Sequence, residues 1–339
     1  MKEKFPAFYD KHYKKIPIIS AILLLIAISY LGFFYVKTGD IIKKDISLTG
    51  GTTITVKSAI SALELKKTLS LKISDLDVGS LSDGSGKQTH LIITSSDMPE
   101  KIVPILEEYL GYKLTEDNSS IEFTGSSLSN TFYRQLIPAV LLAFLWMSAV
   151  VFLIFSDAGI KTKVLIVVLN LAFAKFLFNI FLNYSFIYAV LPFAVLFLPL
   201  LHIYKKYFSV PSFAVTLSAF ADIVFTLAIV NFIGMKVSAS GIVAFLMLIG
   251  YSVDTDIMLD TRMLKRKEST NKILLASLKT GLTETLTSLF ALVFALPIIF
   301  AYQSVINEIF IILIIGLAMD IYNTWVTNAA IIKWYVETK

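Results

Sequence analysis

The sequence predicts a polytopic α-helical membrane protein with a small α+β domain exported between its first two spans. Three observations predict it. Apolar residues make up 56% of the 339 and charged ones only 16%, with a mean hydropathy of +0.75, well above the range of soluble globular chains. Stretches near the ~20 apolar residues that cross hydrocarbon occur about eight times, at roughly 16–36, 136–156, 164–182, 186–204, 211–233, 239–259, 282–302 and 309–332. Between the first two lie about 100 polar residues with strand-like alternation in places.

The first stretch is too long for the core of a signal peptide and ends in "SYLGFFYVKTG" with no small-residue cleavage pattern, so a retained anchor is expected. Basic residues orient the spans. Lys2, Lys4, Lys11, Lys14 and Lys15 precede span one, Lys161 and Lys163 follow span two, and Lys205 and Lys206 follow span four. Arg262, Lys265, Arg266, Lys267, Lys272 and Lys279 follow span six, and Lys333 and Lys339 close the chain. By the positive-inside rule both termini are expected in the cytoplasm of a multi-pass protein of the cell membrane, with residues 37–135 on the outer face.

In that polar segment the pattern reads strand "TTITV" (52–56), helix 61–72, strand 75–82, the turn "DGSGK", strand "THLIIT" (89–94), helix 98–111 and strand "SIEF" (120–123). The order βαββαβ predicts a ferredoxin-like unit. The turn mimics a phosphate loop, but Leu81 and Gln88 stand where Gly and Ser or Thr belong, which favours a hairpin.

Function classes fall away by composition. With no cysteine there is no disulfide framework or thiolate metal site, and His12, His90 and His202 are scattered. Neither a nucleophile motif nor H-E-x-x-H is present, so no enzyme, cofactor or metal is expected, and no nucleic acid. What remains is a set of ionisable residues inside spans, each costing ~2.5–3.5 kcal/mol at a helix centre if left to lipid. These are Asp222 in span five, Asp254 and Asp256 in span six, Asp320 in span eight and Lys175 in span three. A two-residue step turns a helix by about 200°, so Asp254 and Asp256 face opposite ways. Asp254 shares a face with Gly250, Tyr251 and Thr261. Each aspartate reads either as part of a proton or cation relay or as a static hydrogen-bonded group. Asp260, beside Arg262 and Lys265, reads as an interfacial residue paired at the membrane edge, and Glu284 as a snorkelling one.

The stretch "GYSVDTDIMLDTRMLKRKE", with "SVPSFAVTLSAFADIVFTLAIVNFIGMKVS" before it and "KTGLTETLTSLFAL" and "GLAMDIYNTWVTNAAIIKWYVE" after it, resembles the SecF family of its archaeal branch. "DISLTGGTTITV", containing Gly50 and Gly51, resembles the Gly-Gly segment after the first span of SecD and SecF, and Gly250, Tyr251, Ser252 and Arg262 belong to the matching motif. The resemblance implies an accessory subunit of the Sec protein-export machinery, an RND-type protein acting with SecD and the Sec translocon channel on an unfolded preprotein, within membrane lipid. It implies coupling to a proton or sodium gradient, with Asp222 where the family has an aspartate and Asp254 and Asp256 flanking the position of another; Asp320 is a further candidate by its place inside a span. Two departures stand out: the bacterial aspartate of "GYSVNDT" falls on Thr255, and the arginine those members place in the next span has only Glu284 nearby. The family's six spans imply that 157–208 is an inserted transmembrane hairpin between span two (136–156) and a four-span core (209–339); Lys175 within it is expected, on charge balance, to approach Asp222 or Asp320 and supply the positive partner missing from span seven. A non-transporting scaffold subunit and a small-molecule RND-type exporter are the competing readings.

Overall fold

The computed structural model describes residues 9–83, 87–183, 202–265, 268–300 and 305–339. Helix α1 (Ile16–Thr38) has Pro17 in its first turn, and its last turn is closed by Gly39, whose φ of 79° favours a residue without a side chain. Its large apolar side chains, among them Ile18, Ile22 and Leu25, are exposed on the isolated chain, as expected of a helix bathed in lipid.

A short helix α2 (Ile46–Thr49), whose N-cap Asp45 accepts from the Ser47 amide, leads into the polar segment. There the elements run β1 (Gly51–Lys57), α3 (Ala62–Leu69), β2 (Asp77–Ser82), β3 (Gln88–Ser95), α4 (Pro99–Leu110) and β4 (Ser119–Thr124). The strands form one sheet in the order β2-β3-β1-β4, every pair antiparallel. Ile54, Val56, Leu91 and Ile93 on one face pack against Leu65 and Leu69 of α3 and Ile102 and Leu106 of α4, each residue almost wholly buried. At about 1.5–3 kcal/mol per buried Ile or Leu, this is the cohesion of the unit. Residues 84–86 of the expected hairpin turn lie outside the described residues; on either side of them the Asp83 amide donates to the Lys87 carbonyl oxygen and the Lys87 amide to Asp83 Oδ1.

The Gly-Gly pair sits where three segments meet. Gly50 has φ 85° and a Cβ there would lie 2.5 Å from Ser126 Cα; at Gly51, φ 151°, it would lie 2.4 Å from the Ser95 carbonyl oxygen. Both contacts are with backbone, so neither position accepts a side chain.

The remaining elements are helical: α5 (Ser126–Phe155), α6 (Ile160–Asn183), α7 (Val210–Phe232), α8 (Ala239–Lys265), α9 (Thr270–Phe300), α10 (Val305–Tyr322), a π-helical segment Asn323–Asn328, and α11 (Ala329–Thr338). Six helices are long and apolar enough to cross a membrane among the described residues: α1, α5, α7, α8, α9 and the continuous helix through α10 and α11. They correspond to the expected spans one, two and five to eight. Helix α6 covers expected span three, and most of expected span four lies outside the described residues. Helices α7, α8 and α10 pack on one another and bury about half of their spans, whereas α9 buries only 6% of its own. The mutual contact of α7, α8 and α10 is what can shelter polar groups from lipid.

Candidate functional site

The centre of that three-helix contact is polar. Asp222 on α7 is fully buried; its Oδ2 accepts from Ser252 Oγ of α8 at 2.5 Å and its Oδ1 from Asn323 Nδ2 of the π segment at 2.6 Å. Asp256, one turn along α8 from Ser252, is also fully buried, and its Oδ1 accepts from Asn328 Nδ2 at 2.9 Å. Asp320, 1% exposed at the end of α10, accepts from Thr324 Oγ1 at 3.2 Å. Thr327 donates to Asn323 Oδ1 and so fixes which way that amide points. Asp222, Asp256 and Asp320 feel one another electrostatically, and Asp256 also feels Asp260.

No lysine or arginine bonds these four carboxylates among the described residues. Asp256 Oδ2 and both oxygens of Asp260 have no hydrogen-bond partner there either. Carboxylates collected in a buried layer with only neutral donors are stable when positive charge reaches them from outside, as protons or as a cation.

Asp222, Asp256 and Asp320 thus come together, while two other sequence candidates stand apart. Asp254 is exposed on the opposite face of α8 from Asp256, with exposed Gly250 and Tyr251, as the 200° turn requires. Lys175 is exposed on α6 and bonds none of the buried aspartates; Asp222 has Ser252 and Asn323 instead. Glu284 is exposed on α9. Of the "GYSV" residues, Ser252 is the one in the site, and Arg262 donates to Thr280 at 3.0 Å, tying α8 to α9.

Asp260 is a correction. The sequence places it at the membrane edge in an ion pair, but it is 0% exposed on the same face of α8 as Asp256, four residues away. The i,i+4 spacing carries it inward, whereas Arg262 and Lys265 turn elsewhere. The polar residues of "YNTWVTN" are not singled out by the sequence reading, although four hydrogen-bonding side chains (Asn323, Thr324, Thr327, Asn328) inside an apolar span are themselves a signal.

Fold and site together define a multi-pass membrane protein built round a buried carboxylate cluster. The model of the family "Protein export membrane protein SecD/SecF, C-terminal" matches residues 180–338. The protein-export membrane protein SecF of Pyrococcus furiosus is 31% identical over 342 residues, covering 100% of this chain and 96% of that one. Its counterpart in Methanocaldococcus jannaschii is 30% identical, covering 96% of each. The chain belongs to the SecF family of protein-export membrane proteins. Among solved structures, SecDF of Thermus thermophilus, titled a translocon-associated membrane protein, is similar in fold at 15% identity and a TM-score of 0.55; the match covers 95% of this chain and 38% of that one.

Proposed function

We propose that this protein acts with SecD to promote translocation of unfolded preproteins, using an ion gradient delivered through Asp222, Asp256, Asp260 and Asp320. The observation that carries the reading is the buried carboxylate layer, which has no basic partner among the described residues. Each proton crossing ~100 mV supplies about 2.3 kcal/mol, so a few protons suffice to move a domain. Exposed Asp254 and Glu284 on membrane-spanning helices support a partner chain, since carboxylates facing lipid are costly. The loop lysines support cytoplasmic termini and an outer-face position for 37–135. The strand order supports a ferredoxin-like assignment of that unit, and α6 supports an inserted hairpin that brings a six-span RND-like core to eight spans. The protein does no covalent chemistry on this reading.

The test replaces Asp222, Asp254, Asp256, Asp260 and Asp320 singly with Asn and measures export of a secreted reporter, with assembly with SecD checked for each. Export should fall by about tenfold or more for the buried four, matching the drop when the gradient is dissipated. The second reading, a scaffold, draws on the donors that Ser252, Asn323, Thr324 and Asn328 supply to the aspartates; unimpaired export in every assembled variant would establish it instead.

A further inference from the structure

The π-helical segment does more than interrupt the last span. In an α-helix residues five apart point about 140° away from each other; the wider i→i+5 ring turns them back toward one face. That winding is what lets Asn323 reach Asp222 and Asn328 reach Asp256 at 2.6 and 2.9 Å. Rewound as α-helix, the same segment would take one of the two amides off its aspartate.

The wide turn and the helix that follows it are each held from outside by adjacent residues of the N-terminal segment. Tyr9, 3% exposed, donates its hydroxyl to the carbonyl oxygen of Trp325, inside the π segment, at 2.9 Å. Asp10 Oδ1 lies 2.8 Å from Lys333 Nζ, five residues beyond Asn328. Lys333 is 0% exposed although it is charged and near a chain end. Its ammonium also meets Asn271 Oδ1 and Glu337 Oε1, each at 2.6 Å, and lies 5.3 Å from the centre of the Tyr13 ring. Asn271 closes the knot by donating to Asp10 Oδ2 at 2.7 Å. A fully buried lysine held by Asp10 and Asn271 from two segments outside α11 restricts the rotation of that helix, while Glu337 on α11 itself completes its oxygen partners.

We infer that Tyr9, Asp10 and Lys333 form a clamp that holds Asn323–Asn328 in its wide-turn register, so that these are positioning residues for the buried carboxylates. Releasing the clamp lets the segment rewind and turns α11 relative to α10. The geometric half of the inference stands on the structure alone; its consequence for export rests on the function proposed above.

The absence of cysteine allows a clean test in the full chain in lipid nanodiscs. Spin labels are placed at Ile22→Cys on α1 and Trp334→Cys on α11, both exposed at 53% and 44%, and their separation is measured by double electron–electron resonance. The parent chain should give one dominant distance. Tyr9→Phe, which removes a single oxygen and keeps the ring packed, should raise a second distance, several ångströms away, by about fivefold in population, the scale of one lost hydrogen bond. Lys333→Met should raise the same second distance further. If Tyr9→Phe leaves the distance distribution of the parent unchanged, the clamp is overturned, whether or not the lysine variant is produced. If the second distance appears while SecD-dependent export stays at the parental level in Lys333→Met as well, the clamp is real but positions nothing that export uses, and its consequence for export fails with the geometric inference intact.

Discussion

Gly316 on α10 meets Leu248 on α8 so closely that a Cβ on the glycine would lie 2.5 Å from Leu248 Cδ2. Leu248 is fully buried, so the side chain has little room to withdraw. This crossing sets the spacing of the two helices that carry Asp256 and Asp320. Gly316→Val should therefore destabilise the bundle by roughly 1–3 kcal/mol through overpacking, seen as a lower thermal midpoint in detergent. Leu248→Ala in the same chain should recover part of the loss, and simple additivity of the two changes would refute the contact as its cause.

Gly50 and Gly51 make a second, independent expectation. Alanine at either must displace backbone of Ser126 or Ser95 as well as adopt a positive φ. The cost is of the order of 1–3 kcal/mol, localised where the sheet unit joins α5. Limited proteolysis should then cut that junction faster in Gly51→Ala, while the helical bundle keeps its thermal midpoint. Equal protection of parent and variant would show that the junction yields.

Asp97 makes the sheet unit acid-sensitive. Its Oδ2 accepts from Lys101 Nζ and from the Ser74 amide, both at 2.8 Å, and the lysine first, then the amide, hold its carboxyl below the usual range. A carboxylate with a depressed folded pKa contributes its full share above the unfolded value of about 3.9 and loses it as pH falls through the folded value. Protection of the Ser74 amide, relative to the exchange of an unstructured amide at the same pH, should fall below about pH 4, and Asp97→Asn should flatten that acid limb. An unchanged limb in the variant would assign the sensitivity to another group.

Much of this molecule was legible in its sequence because bilayer length and strand alternation are strong periodic signals. Both identified the helices and the βαββαβ order, with the strands placed to within a few residues, as Thr52–Val56 inside β1 illustrates, while α5 and α9 begin ten and twelve residues before the apolar stretches that announce them. That Asp254 and Asp256 face opposite ways also followed from helical geometry, though which of the two is buried did not. Nor did the burial of Asp260, because neighbouring basic residues outweighed its i,i+4 relation to Asp256. The donors of the site were hidden for a different reason. Asn323 and Asn328 share a face only when the chain winds as a π-helix, and a reading at 3.6 residues per turn sends them apart.

The pairing of Asp222 with Asn323 separates a structural carboxylate from a working one. Asn323→Leu leaves Asp222 Oδ1 without its donor inside the bundle, at a cost of about 1–3 kcal/mol. The exchange Asp222→Asn with Asn323→Asp keeps one amide, one carboxylate and the bond between them, but moves the carboxylate from α7 to the π segment. Stability should return most of the way to that of the parent chain in the exchanged protein. Export should not return, because the carboxylate no longer meets Ser252 from α7 and its place among Asp256 and Asp320 has changed. Thermal midpoint and reporter export measured on the same two variants decide the point. If the exchange restores both, Asp222 serves only to bond helices, and the ion path does not include it.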